Sequence, residues 1–584
     1  MALAVAALLA PLSSWFVTVQ HEVGQPYLDE VFHVRQAQHY CNARFDIWDP
    51  KITTPPGLYL LSYVFSPLLG CSISSLRLIN AVCLLFLMLM IGATYHVRRK
   101  ANDETGRVSR ILIYHSALNA ALFPPLFFFS ALYYTDVPST LSVTVFYWYF
   151  LRCLQEQSTA AGGFIQVALG AVSLMFRQTN IFWVAVAPAA LTVIIELDRG
   201  LRVVRESMYR RAQGFGDSTL SVAKTSWKMD VLYDPPVRDA FFEDYIRTIV
   251  SLLVCGVKIL TQPQRMLAMI RNLAPYLTLL ALFGSFILWN GGVVLGDKSN
   301  HVATIHLSQM LYLWPFLAFF GWPLLLPHLV LVPMVVLSRI ARTTALEQLL
   351  IFRRQSFLPR LWLLIAWTLL ACLVVHFNTI VHPFTLADNR HYNFYMFRLL
   401  LRPRWMRYLV TPIYVLCGWA CIDARGDPPN TSLVLAEKDV SAKQELAAGK
   451  SSDDPLKANA VGDAEYASNR KLRIPDGKST AMVSFIMVWL ATTALSLCTA
   501  PLVEPRYCIL PFIIWRMHLP MHSPNNRHPG SKEKTLREMM QNYDYRIVLE
   551  TVWFLAINAA TGYIFLNRKF SWPSEPENVQ RFMW

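Results

Sequence analysis

Charge is what this 584-residue chain has least of. Asp, Glu, Lys and Arg together make up 16%, where a soluble domain carries roughly a quarter. With 54% apolar residues and a mean hydropathy of +0.35, the deficit is too large for a string of soluble domains. Short alternating segments of about ten residues are missing as well, which excludes a transmembrane β-barrel. The ten cysteines contain no CxxC pair and no Cys/His ligand spacing, so neither a zinc site nor a disulfide framework is expected. No Walker loop, no GxGxxG after a strand, and no HExxH, GxSxG or DxD-type motif occurs. A nucleotide sugar is therefore not an expected substrate. No segment repeats at a fixed period. Disorder throughout fails on 17 Trp, 24 Tyr and 34 Phe.

What the chain does have is long apolar runs flanked by basic residues. A nucleic-acid-binding protein could share the net charge of +15, but its Lys and Arg would form one face or arm. Here they mark the ends of apolar segments, so no nucleic acid is expected. At roughly 20 apolar residues per span, candidate helices fall at 2–19, 76–96, 111–130, 138–154, 163–176, 180–197, 273–290, 307–337, 358–380, 405–422, 480–500 and 547–566. The expectation is an all-α polytopic membrane protein with about twelve spans. Four prolines interrupt 307–337, predicting a broken helix or a span with a re-entrant piece. Segments 57–70 and 506–519 are expected at the interface. Segment 1–19 lacks the basic start of a cleaved signal peptide and reads as an uncleaved first helix.

Arg98, Arg99, Lys100, Arg107 and Arg110 crowd one short loop, which the positive-inside rule places in the cytosol together with 198–272 and 338–360. The opposite side then receives 20–75, 131–137, 177–180, 290–306, 381–404 and the stretch after 501. The side of 520–545 depends on whether 506–519 crosses. Residues 1–422 read as one transmembrane bundle with a long first loop at 20–75, and 479–584 as further helices of the same bundle. Between them, 423–478 is polar and poor in aromatics, which predicts a disordered cytosolic insert. Its sequon at Asn430 faces the wrong compartment for glycosylation. Cys41 and Cys71 are the only plausible pair on the non-cytosolic side, and they are expected to stay unbridged.

Polar residues collect on that non-cytosolic side. Asp29, Glu30 and His33 lie within one helical turn. Paired carboxylates near a membrane suit general-base work, since desolvation and like charge raise one pKa towards neutrality. The plainer alternative is a solvated helix start with Asp29 as N-cap. Asp388-Asn389-Arg390-His391-Tyr392 combines a carboxylate with cations suited to a phosphate; an interfacial aromatic belt explains Tyr395 and Arg398 but not these residues. Tyr133–Asp136, Arg177–Asn180, Gly296–His301 and Glu504–Tyr507 make further clusters. Six clusters on one side point to a site there.

The strings Asp29-Glu30-x-Phe32-His33, Trp48-Asp49-Pro50-Lys51-Ile52-Thr53-Thr54-Pro55-Pro56-Gly57, Arg177-Gln178-Thr179-Asn180, Leu386-Ala387-Asp388-Asn389-Arg390-His391-Tyr392, Glu504-Pro505-Arg506-Tyr507 and Gln580-Arg581-Phe582-Met583-Trp584 resemble the DIE2 family. The likeness runs from about 26 to 584, leaving out 423–478 and much of 198–272. It implies a GT-C type bundle in the endoplasmic reticulum membrane with its site facing the lumen. It also implies a reaction: inverting transfer of glucose from dolichyl phosphate glucose to a diglucosylated dolichyl-diphosphate-linked oligosaccharide, forming the terminal α-1,2 linkage.

On that resemblance Asp29 is the preferred general base and Glu30 the second candidate. Arg390 and His391 would bind the donor phosphate, with Arg506 or Arg177 assisting. His33, Trp48, Asp49, Asp136, Asp388, Asn389, Tyr392, Glu504 and Tyr507 would contact substrate. No cofactor is expected, and cationic side chains can replace a metal at a phosphate leaving group, although Asp29, Glu30, His33 and Asp136 could contribute to a metal site. A lipid or sugar transporter is the alternative of another class. It would carry its polar residues at the bilayer midplane, within internal repeats.

Overall fold

The computed structural model describes residues 1–101, 110–156, 160–198, 215–216, 218–237, 240–298, 304–341, 358–381, 383–426, 481–500, 502–521, 543–573 and 575–584. The expected insert beyond residue 426, Asn430, His301 and most of 520–545 lie outside the described residues.

The architecture is the expected multi-span helical one: in hydrocarbon only helices and closed barrels satisfy the backbone, and long unbroken apolar runs suit the helix. Among the described residues five helices are long and apolar enough to cross a membrane: Ala2–Glu22, Ile73–Arg98, Gln178–Asp198, Pro263–Asn290 and Tyr545–Asn567. The interruption expected within 307–337 is present. Ser308–Gly321 and Leu326–Leu337 meet at 102°, and a second pair, Tyr392–Leu401 and Met406–Asp423, meets at 100°. Shorter apolar helices are Gly57–Leu69, Ala161–Leu174, Leu361–Phe377 and Val483–Cys498. The single span expected over 111–130 is two helices, Arg110–Leu122 and Pro124–Phe129. Phe123 between them is forced extended (φ −51°, ψ 120°), since the residue before a proline avoids the helical region.

Four elements position the site. Helix α1 (Ala2–Glu22) leads into the short α2 (Glu30–Cys41), then α3 (Gly57–Leu69) and the long α4 (Ile73–Ala101). Helix α4 carries Arg77 near one end and Arg98 near the other. Twenty-one residues at about 1.5 Å each span roughly 30 Å, the thickness of a bilayer core. The two arginines therefore mark opposite ends of the bundle.

Two expectations need correction. Segment 506–519 does not lie at the interface. Its helix, Ile509–Met517, is too short to span and is plugged into the core. Phe512 stacks on Phe123 at 4.0 Å, and Trp515 sits against Gly321, where a Cβ would lie 2.7 Å from the indole. Cys41 and Cys71 are bridged, with Cα atoms 6.5 Å apart, because α3 folds back and returns the start of α4 to the end of α2.

The Thr-Thr-Pro-Pro-Gly string has a packing role. Gly57 N–H donates to the Met175 carbonyl at 2.7 Å, and a Cβ at Gly57 would stand 2.5 Å from that oxygen. The Thr53 carbonyl accepts from Gln178 Nε2 at 2.7 Å and from Leu295 N–H at 3.2 Å. These bonds fasten the first loop to two others on the same side.

Candidate active site

The turn into α2 separates two adjacent carboxylates. Leu28 occupies the left-handed region at φ +55°, which costs a residue with a side chain about 1–2 kcal/mol. Successive helical residues point roughly 100° apart, so Asp29 and Glu30 face different surroundings.

Glu30 faces inward and is completely buried. Its oxygens take Arg77 Nε and Nη2, both at 2.7 Å, together with the backbone N–H groups of Tyr133 (2.8 Å) and Tyr27 (3.1 Å). Arg77, equally buried, also donates to the carbonyls of Val23 and Gln25. The second candidate base is thus a saturated structural ion pair, with no room to take a substrate proton. Sequence reading passed over Arg77, although a lone arginine inside an apolar run is itself a signal.

Asp29 faces outward without capping α2 through its side chain. It is 52% exposed beside Arg506, Glu504 and His391, which are 13%, 22% and 32% exposed, so a partly open cleft lies between these segments. Burial pushes its pKa up, but Arg506, His33 and His391 outweigh that and hold the carboxyl below its ordinary value. This corrects the expectation of a raised base: the neighbours are cations rather than a second free carboxylate. Arg506 Nη1 stands 3.4 Å from Asp29 Oδ2. His33, one turn along α2, places Nδ1 2.7 Å from the Tyr59 hydroxyl. Burial lowers its pKa against the pull of Asp29, so the ring is mainly neutral at pH 7.

Arg506 belongs to a 3-10 turn, Pro505–Cys508. Glu504 Oε2 holds its Nε at 2.9 Å and its Nη2 at 2.6 Å, while Phe129 and Tyr134 lie 5.7 and 5.8 Å beneath the guanidinium. Burial alone would lower its pKa, but Glu504, Asp136 and Asp29 raise it well above the ordinary value, so the cation is permanent. Asp136 is buried 2.9 Å from Arg177 Nη2, and among the described residues neither of its oxygens has a directed hydrogen bond. It retains acceptor capacity for a hydroxyl. Tyr507 lies within electrostatic range of Glu504, Arg506 and Arg177.

The Asp388–Tyr392 loop reaches the same cleft through His391, which lies within electrostatic range of Asp29. Arg390 does not have the free fork expected of a phosphate ligand. Asp388 binds it through Nε (2.8 Å) and Nη2 (2.6 Å), Gln580 accepts from Nη1 at 3.0 Å, and Trp572 underlies it at 4.5 Å. The Asp388 carboxyl is drawn down from its ordinary range by these bonds, against burial. Asn389 Oδ1 accepts from Trp572 Nε1 at 2.8 Å, and Tyr392 packs edge-on against Trp584 at 5.1 Å. Phe570–Trp572 and Glu575–Gln580 pair as antiparallel strands, and the tail after them laces this loop to the first one. Met583 N–H donates to the Arg390 carbonyl, and His391 Nδ1 lies 3.1 Å from the Trp584 carbonyl oxygen. Tyr27 shares two 2.7 Å bonds with the Arg581 backbone.

The first-loop residues are less central. Asp49 closes its own turn, accepting from Lys51 N–H at 2.9 Å. Trp48 packs edge-on to Tyr59 at 6.0 Å, and its buried Nε1 has no partner among the described residues. Lys298 Nζ bonds the Asn290 carbonyl within its own loop. Among the described residues no three His, Cys, Asp or Glu side chains converge to hold a metal ion.

Comparison with known proteins agrees with the strings that line this cleft. A family model described as the DIE2/ALG10 family matches residues 23–517. A protein of Emericella nidulans is 40% identical over 99% of this chain and 96% of its own length, and one of Mus musculus is 30% identical over 97% and 95%. Both bear the name Dol-P-Glc:Glc(2)Man(9)GlcNAc(2)-PP-Dol alpha-1,2-glucosyltransferase. Among solved structures, the apo Archaeoglobus fulgidus oligosaccharyltransferase matches 94% of this chain and 64% of that one, at 13% identity and a TM-score of 0.25. The family match covers the first loop, Asp29, the Asp388–Tyr392 loop and Arg506 alike, and the chain belongs to the DIE2/ALG10 family.

Proposed function

We propose that the protein is a GT-C type enzyme that transfers glucose from dolichyl phosphate glucose to a diglucosylated dolichyl-diphosphate-linked oligosaccharide. It forms the terminal α-1,2 linkage on the luminal side of the endoplasmic reticulum membrane. The observation that carries this reading is Asp29: a half-exposed carboxylate on a cleft wall, facing Arg506 and His391, in a chain 40% identical to a protein of that name. The Cys41–Cys71 bridge supports the luminal placement, since disulfides persist in oxidising compartments. A transporter finds no support in the relatives' names.

Asp29 is the base. The acceptor 2-hydroxyl attacks the anomeric carbon from the face opposite the phosphate and gives its proton to Asp29. The bond from the anomeric carbon to the phosphate oxygen breaks, and dolichyl phosphate leaves with the electron pair. A β-linked donor so yields an α-linked product. Arg506 and His391 neutralise the phosphate as it departs, and Asp136 takes a sugar hydroxyl.

Arg390 is assigned to positioning: it carries the loop that presents His391. Donor binding also adjusts the base. An incoming phosphate competes for Arg506 and adds negative charge beside Asp29, and both effects raise its pKa.

The test is glucose transfer in liposomes with synthetic dolichyl phosphate glucose, a diglucosylated acceptor and chelator. Wild type is expected to turn over in chelator, and Asp29→Asn to lose 10²–10⁴-fold. Full turnover by Asp29→Asn would remove the proposed base. Loss of wild-type activity in chelator, restored by a divalent cation, would overturn metal independence.

A further inference from the structure

At the end of the bundle away from Asp29, where α4 finishes with Arg98, the charges do not balance. Arg425 follows the helix Thr411–Asp423 and is only 1% exposed. Its guanidinium lies over Trp489 at 4.3 Å and Phe485 at 5.4 Å, yet none of its three nitrogens has a hydrogen-bond partner among the described residues. Arg98 is within electrostatic range of it, and both act on the buried His518.

The nearby carboxylates are committed elsewhere. Glu550 is bidentate to Arg516, with both bonds at 2.7 Å, and Asp423 pairs with His328 at 2.7 Å. Asp244 binds Arg247 and the Tyr233 hydroxyl. Arg98 itself donates to the Met517 carbonyl, its one hydrogen bond among the described residues. Hydroxyls complete the surroundings: Tyr147, bonded to His518 Nε2 at 2.9 Å, and Tyr245 are both within range of Arg425.

A buried cation without a partner is strongly unfavourable, and a second cation within electrostatic range compounds it. Of the other buried arginines, Arg77 and Arg516 each have a bidentate carboxylate, and Arg581 donates to three backbone carbonyls. Among the described residues Arg425 is the one of these four whose guanidinium has neither a carboxylate nor a carbonyl, while its fork geometry suits a phosphate. A narrow apolar cavity is walled by Tyr147, Phe485 and Trp489, and the last two are the rings on which the guanidinium rests.

We propose that Arg425 and Arg98 bind a phosphate group at the end of the bundle opposite the active site. This site is separate from donor and acceptor and does not depend on the transfer chemistry. The shared ligand chemistry is a phosphate, borne by a lipid headgroup or free in solution.

The test uses the full chain in nanodiscs of phosphatidylcholine, with or without phosphatidic acid, and separately with inorganic phosphate. Melting of wild type is compared with Arg425→Gln and with Arg98→Gln. Wild type is expected to melt several degrees higher with a phosphate source. Binding should weaken about ten- to hundred-fold in Arg425→Gln, the loss of a charge-assisted hydrogen-bonding group, and by a smaller factor in Arg98→Gln. A shift with phosphatidic acid alone assigns a lipid, and a shift with inorganic phosphate as well assigns the free ion as sufficient. No shift in wild type with either source overturns the site, as does an equal shift in wild type and Arg425→Gln. If Arg425→Gln does not fold, Arg98→Gln decides: unchanged binding in it overturns the two-arginine site.

Discussion

Replacing each of two neighbouring carboxylates by its amide should have opposite consequences. Glu30→Gln removes one charge from an ion pair in which both side chains are fully buried, leaving Arg77 uncompensated, at about 3–5 kcal/mol. The amide nitrogen must also face Tyr133 N–H or Tyr27 N–H, a donor against a donor, for a further loss of about 1–3 kcal/mol. Against a typical stability of roughly 5–15 kcal/mol, that is enough to unfold much of the protein. Asp29→Asn removes a half-exposed contact of 3.4 Å, worth less than about 1 kcal/mol. The assay is melting in detergent beside single-turnover glucose transfer. Asp29→Asn should melt like wild type and fail to transfer; Glu30→Gln should melt far lower. A Glu30→Gln protein with wild-type melting and no activity would refute the assignment.

Other outcomes follow from the same geometry. Because Arg506 holds Asp29 below the ordinary carboxylate range, the base of the free enzyme stays ionised as pH falls through that range. The acid limb of kcat/KM should therefore lie below it, and the acid limb of kcat should lie higher once phosphate occupies Arg506; pH profiles of both parameters check this. By the same sign, the Asp29–Arg506 pair adds stability above the unfolded carboxyl pKa and loses it as pH falls through the depressed folded value. Arg581 donates to the carbonyls of Phe565, Leu566 and Glu22. Arg581→Ala should cost about 2–4 kcal/mol and free the 575–584 tail to protease, read by limited proteolysis. Removing the bridge in Cys41→Ser/Cys71→Ser should lower stability by about 3–4 kcal/mol for a loop of this length; wild type should migrate faster on a non-reducing gel than on a reducing one, and the variant should not.

The apolar runs determined a multi-span helical chain, since their length and low charge admit nothing else in hydrocarbon. Proline placement located the break within 307–337, and the polar strings located the cleft, because its side chains come in short local groups. Choosing between Asp29 and Glu30 needed tertiary structure. The choice turns on Arg77, 47 positions further on, which meets one face of α2 and not the other. Arg390 looked like a phosphate ligand from its neighbours, but Gln580 and Trp572 make it a strut. The tail meets Tyr27 across 554 residues, and no local pattern encodes that contact. Residues 506–519 read as interfacial because a helix too short to span has the same composition whether it floats at a surface or plugs a core. Sequence specified which groups are present and which helices carry them, while packing decided which charges neutralise each other and which remain free for substrate.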